Sequence, residues 1–290
     1  MPLSPSDLTL VCLQGFLVLV PARPRRLASS RLVGIVIPAA ALAVGVTLAQ
    51  AGGGASFLAA LAAIATPLLA ALAGVARGWP RPWLPALFVP PLYLLAWLAP
   101  KAIAGEAAGV ALIAAACLAV TAVVAAVAPA GWLKAGLVLL VLLDVVLVWG
   151  DRQVGPATTA LDAAATPVLL GRHLPSLQQV QLGSTQLGWL DLAAPALLGI
   201  IVVPRARAAL ATGLAAALWS LLLFVTSPIP ATPPVLAGLG AASRRLGGLG
   251  TRPAGRADRP LRNERPEAAL DEGVDGDDPE RRDSNPRPPA

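Results

Sequence analysis

Nine apolar runs, separated by short breaks, leave this chain few folds to choose from. They lie near residues 8–21, 32–50, 55–76, 83–99, 108–128, 132–150, 187–203, 208–226 and 229–242. Most approach the roughly 20 residues that carry a helix across a bilayer. A soluble domain would need polar surface to cover so much apolar chain. Charged residues make up only 13% of the sequence, about half the share usual in soluble domains. Mean hydropathy is +0.71. The expected fold class is all-α, a polytopic membrane protein with about nine transmembrane helices. The runs are dense in Ala, Leu, Val and Gly, and small residues let helices approach closely in lipid.

Two segments fall outside the runs. Residues 151–186 read as a long loop between the sixth and seventh spans. Residues 243–290 are rich in Arg, Pro, Gly, Asp and Glu, cannot bury a core, and read as a disordered tail. The domain plan is thus a membrane domain over 1–242, made of a six-helix part (1–150), the loop (151–186) and a three-helix part (187–242). The tail follows. No internal repeat is visible. The first run holds Gln14 and has no basic residues before it, so it reads as an uncleaved helix rather than a signal peptide. The last run carries Pro230, Pro233 and Pro234, so its start cannot be regular helix.

The net charge of +6 does not point to nucleic acid, because no basic stripe is interleaved with aromatics. A basic face beside anionic lipid is the simpler reading. Arg23, Arg25, Arg26, Arg31, Arg77, Arg81, Lys134, Arg205, Arg207, Arg244 and Arg245 all fall on one side of a nine-span chain. Lys101, Arg152 and Arg172 fall on the other. The basic side is expected to be cytoplasmic. That sets the N-terminus and the 151–186 loop outside and the tail inside, in the cytoplasmic (plasma) membrane. Cys12 and Cys117 lie in apolar runs and read as packing residues. His173 reads as a solvated loop residue, so no metal site is expected.

Two carboxylates lie well inside the spans. Asp144 sits in WLKAGLVLLVLLDVVLVWG and Asp191 in LGWLDLAAPALLGIIVV. A charge at bilayer depth costs several kcal/mol unless it is paired, solvated or neutralised. Asp144 lies about six residues, or roughly 9 Å, below the outer end of the sixth span. Asp191 lies roughly 6–7 Å below the same face on the antiparallel seventh. Two such groups can share one proton, which supplies a base and an acid together. Aspartyl proteolysis needs that state. A proton relay in a transporter needs it too, and a structural hydrogen-bonded pair is a third reading.

The residues around the aspartates resemble the intramembrane aspartyl proteases of the presenilin and signal peptide peptidase class. Leu143-Asp144 stands where that family has Tyr-Asp. Gly188-Trp189-Leu190-Asp191 stands where it has Gly-x-Gly-Asp, and Pro195 follows as it often does there. Pro230-Ala231-Thr232-Pro233 resembles its Pro-Ala-Leu segment. The resemblance covers roughly residues 130–240. It departs from the pattern at Leu143, Leu190 and Thr232. It implies a presenilin-like arrangement with Asp144 and Asp191 as the catalytic pair, and no metal or organic cofactor. Gly188, Leu190, Pro230, Ala231 and Thr232 would line the substrate site. The partners would be the bilayer and a membrane-embedded helix of type II or signal-peptide-like orientation. Gln178 to Leu182 alternates polar with apolar and could add to an unwound substrate as a strand. A prepilin-peptidase likeness is weaker, since Leu192 and Ala193 stand where that family carries a lysine. A catalytically inactive relative that binds membrane partners is the other outcome. A reporter enzyme fused to the tail is expected to be active in the cytoplasm; activity on the outer side would reverse the topology.

Overall fold

The computed structural model describes residues 5–22, 44–48, 51, 53–150, 157, 159–161, 163–164, 166–183, 185–203, 205–221, 230 and 232–248. Most of the second predicted span, the end of the eighth, Ala231 and the tail beyond residue 248 lie outside them. Within these bounds the chain is mostly helical. The helices are α1 (Pro5–Leu19), α2 (Gly54–Arg77), α3 (Leu84–Leu98), α4 (Ile103–Val127), α5 (Ala130–Val145), α6 (Trp189–Ile201), α7 (Arg205–Ser220) and α8 (Pro234–Gly248). Residues 44–48 are also helical. A π-helical turn, Val146–Gly150, extends α5.

Among the described residues, three helices are long and apolar enough to cross a membrane: Gly54–Arg77, Ile103–Val127 and Ala130–Trp149. Side-chain size supports a membrane setting independently of hydropathy. On α2 the buried face is Ala59, Ala63, Thr66, Ala70 and Ala73, while Leu61, Ile64, Leu68, Leu72 and Val75 point outward. On α7 Ala208, Ala209, Thr212 and Ala216 are buried, while Leu210, Leu214 and Leu218 are exposed. Water would make such leucine faces an aggregation hazard. Lipid makes them neutral and leaves close backbone approach to drive packing.

The 25-residue helix α4 is the central post. It is apolar all round and packs on α2, α3 and α6. Helix α1 crosses α6 and α7, and α8 lies along α7. Glycines set two of these crossings. A Cβ on Gly199 would strike the Val18 carbonyl, so α6 and α1 approach at backbone distance. A Cβ on Gly238 would strike the Thr212 hydroxyl, the Leu198 side chain and the Ala208 carbonyl, which fixes α8 on α6 and α7.

Arg77 departs from the sequence reading. It was expected as a flanking loop charge, yet it ends α2 fully buried. Its guanidinium donates to Val20 O (3.1 Å), Leu118 O (3.1 Å), Ala196 O (3.2 Å) and Thr121 Oγ1 (3.4 Å). Hydropathy places a cation after an apolar run; it cannot see acceptors supplied by three other helical regions. Gly78, at φ 65°, closes α2 by turning the chain away in the left-handed conformation.

Two boundaries and the content of one loop also differ. The seventh span was expected to start near Leu187, but Leu187 ends a strand and α6 begins at Trp189. The tail was set to begin at residue 243, yet α8 runs to Gly248. The added turn costs little once a helix is nucleated, and it contains Leu and Arg, both good helix formers. The 151–186 loop contains two antiparallel hairpins, β1 (Val168–Leu169) with β2 (Arg172–His173), and β3 (Val180–Leu182) with β4 (Thr185–Leu187).

Replacing Arg77 by Met is expected to cost on the order of 3 kcal/mol, because charge-assisted bonds are lost and their acceptors stay buried. Arg77→Lys should recover only part, since one ammonium cannot span four acceptors. Thermal unfolding in detergent measures both.

Candidate functional site

Helix α5 buries a single stripe: Leu133, Gly136, Leu137, Leu140, Val141 and Asp144. The spacing is helical, so Asp144 continues the inward face rather than the lipid face. Val138, Leu142 and Val146 point outward. The helix then loosens into the π turn immediately after Asp144. π turns interrupt the regular backbone ladder and recur at functional sites.

Asp191 reaches the same region from α6. Gly188 is the N-cap of that helix, and Asp191 occupies the third helical position. Its carboxylate folds back, and the Gly188 N–H donates to Oδ2 at 2.7 Å. This is the reciprocal half of a capping box. A Cβ on Gly188 would lie 3.2 Å from Asp191 Oδ2, so glycine suits the tight return. Asp144 is buried and Asp191 half-buried. Helices α5 and α6 pack together, so the two carboxylates stand on neighbouring helices.

Pro195 explains a polar residue in α1. A proline has no N–H, so the carbonyl four residues earlier, that of Asp191, loses its helical donor. Gln14 is buried, and its Nε2 donates to Asp191 O at 3.4 Å. From the other side, Cys117 Sγ on α4 donates to Trp189 O at 3.5 Å. The first turn of α6 is thus held from both α1 and α4. The sequence reading noted Gln14 and Pro195 separately; the i to i−4 rule links Pro195 to the Asp191 carbonyl, and only the fold shows which donor arrives.

The segment before α8 closes the site. Thr232 is buried, and both its N–H (3.2 Å) and its hydroxyl (2.6 Å) donate to Asp144 Oδ2. Pro230 is buried, and its carbonyl accepts from Trp219 Nε1 at 2.7 Å. The Trp219 ring lies 6.0 Å from that of Trp149, at the end of α5. Pro234 opens α8, and Thr232, which precedes it, has an N–H outside the helical ladder that meets Asp144.

The residues singled out in the sequence therefore divide. Asp144 and Thr232 are bonded to one another, and Asp191, held by Gly188, stands on the neighbouring helix. Pro230 stands beside them on the Trp219 anchor. Leu190 is half-buried and leans on the core formed by Val18, Leu137, Leu197 and their neighbours. Ala231 lies outside the described residues. His173 is exposed, with Nδ1 2.8 Å from Thr166 O. No cluster of three or more His, Cys, Asp or Glu forms among the described residues.

Comparison with models of known families, with curated proteins and with solved structures finds no significant match to this chain.

Thr232→Val keeps the backbone N–H but removes the hydroxyl from Asp144. The expected loss is about 1–3 kcal/mol of stability. Thr232→Ser should restore most of it. Equal thermal midpoints for Val and Ser would mean that the hydroxyl bond contributes nothing.

Proposed function

We propose that this chain is an intramembrane aspartyl protease of the presenilin and signal peptide peptidase type, with nine membrane spans. One observation carries the reading: two carboxylates stand on the packed helices α5 and α6, with a third segment bonded to one of them. Proteolysis needs a base, an acid and a fixed distance between them.

The bonding suggests how the roles divide. Asp144 Oδ2 accepts two hydrogen bonds from Thr232, so it is committed as an acceptor. Asp144 then acts as the base, taking a proton from a water held between the carboxylates. Asp191 carries the shared proton and gives it to the scissile carbonyl oxygen. Attack yields a gem-diol, and collapse of the gem-diol with proton transfer to the nitrogen releases the amine. Neither metal nor organic cofactor enters this scheme.

A helical substrate must unwind first, because its carbonyls are engaged in its own hydrogen bonds. The hairpin of β3 and β4 leads into Gly188, and the unwound stretch pairs with it by strand addition. The charge distribution favours an outside N-terminus and a cytoplasmic tail, as in signal peptide peptidase. The substrate class is then a type II or signal-peptide-like helix in the plasma membrane.

The Thr232 bonds also fit a second reading, an inactive relative in which the aspartates are a structural pair. Cleavage separates the two. The purified chain is expected to cut a model type II helix, and Asp144→Ala or Asp191→Ala should each lower the rate about 10²–10⁴-fold. Cleavage that survives either substitution sinks the protease reading. Proton-coupled uptake without cleavage would favour a relay.

A further inference from the structure

The hairpin of β1 and β2 presents an apolar tip that the protein does not cover. Val168, Leu169 and Leu170 follow one another and are 60%, 52% and 85% exposed. Successive strand residues point to opposite faces, so neither face of this ribbon packs on the bundle. The turn is formed by Leu170 at φ 50° and Gly171 at φ 73°. Two positive φ values describe a type I′ turn, where Asn, Asp or Gly is usual at the first position and leucine is costly. Yet this turn sets its bulkiest apolar side chain at the apex.

The base of the hairpin is rigid. Leu174 N donates to Pro167 O at 2.8 Å, and Thr166 Oγ1 donates to Leu174 O at 2.7 Å. The chain beyond it is rooted in the bundle at a known height. Leu177 is fully buried in the core with Val110 and Ile113 of α4. Its Cδ2 would lie 3.7 Å from a Cβ on Gly109. Glu106 Oε2 accepts from Gly183 N at 2.7 Å. Gly109 is about six residues, or roughly 9 Å, inside the start of this membrane-length helix. The chain that follows the hairpin is therefore rooted near the start of α4, at the end where that helix would leave a bilayer. Arg172 stands opposite Leu169 on one face of the ribbon and is exposed. An apolar stem with a cation beside it suits the boundary between acyl chains and anionic headgroups.

We infer that the tip Val168-Leu169-Leu170 inserts into the lipid interface, with Arg172 at headgroup level. The hairpin anchors the α5–α6 connection to the membrane beside the span ends. This inference does not depend on protease activity.

Spin labels test it on the full chain in anionic lipid nanodiscs, in a Cys12→Ala background, with Cys117 buried. Leu170→Cys carries the probe; Leu169→Cys repeats it at a position without positive φ. Leu68→Cys on the outward face of α2 is the lipid control, and Lys101→Cys, exposed before α4 begins, the water control. At 169 and 170, collisions with oxygen are expected to exceed those with a water-soluble nickel chelate, as at 68, with the order reversed at 101. Nickel collisions at 169 and 170 matching those at 101 would overturn the inference. So would protection from both reagents, which would mean that protein, such as a second copy or a bound substrate, covers the tip.

Discussion

The buried guanidinium of Arg77 joins more of this bundle than any other described side chain. Removing an ion from water costs several kcal/mol even after relaxation. Here that cost is offset by four acceptors, drawn from the end of α1, from α4 and from α6. Val20 lies just past α1, where carbonyls have no helical donors of their own. Ala196 is five residues after Asp191, so the same cation sets the height of α6 against α1 and α4. Every later constraint on Asp191 acts on a helix already fixed in this way. Gln14 and Cys117 then hold its first turn, and Gly188 turns the carboxylate back.

Asp144 is positioned by different means. Its helix contributes only a stripe, and the residue falls at the end of that stripe, where the π turn begins. What fixes it is Thr232, just before α8, with Pro230 anchored by Trp219. The two carboxylates thus rest on separate supports that meet at the α5–α6 contact. A site assembled from several helices fits a membrane bundle, where small residues allow backbones close enough for single hydrogen bonds to bridge them.

The element order was largely legible in the sequence because hydropathy and length are local properties. Asp144 stood out through the cost of a charge at bilayer depth, whereas its stripe with Leu133, Leu137 and Leu140 shows only in the fold, because nearly every neighbour on α5 is apolar. Arg77 was not legible: a cation at the end of an apolar run looks the same whether it meets water or carbonyls. The alternation over residues 178–182 marked the stretch that contains β3, but β1, β2 and β4 were missed because strands of two or three residues leave no period to detect. The start of α6 was placed two residues early because apolar Leu187 belongs to a strand that abuts the helix. Thr232 stood out through its resemblance to a motif. Its hydroxyl bond to Asp144 followed from the fold, since the two residues are far apart in the chain.

Whether Asp144 and Asp191 form one site is measured most directly by an experimental structure of the full chain in lipid nanodiscs. One site requires the two carboxylates within about 6 Å of one another, close enough for each to govern the other's charge. A separation beyond about 10 Å in every state observed would contradict it, because one water could not then touch both carboxylates.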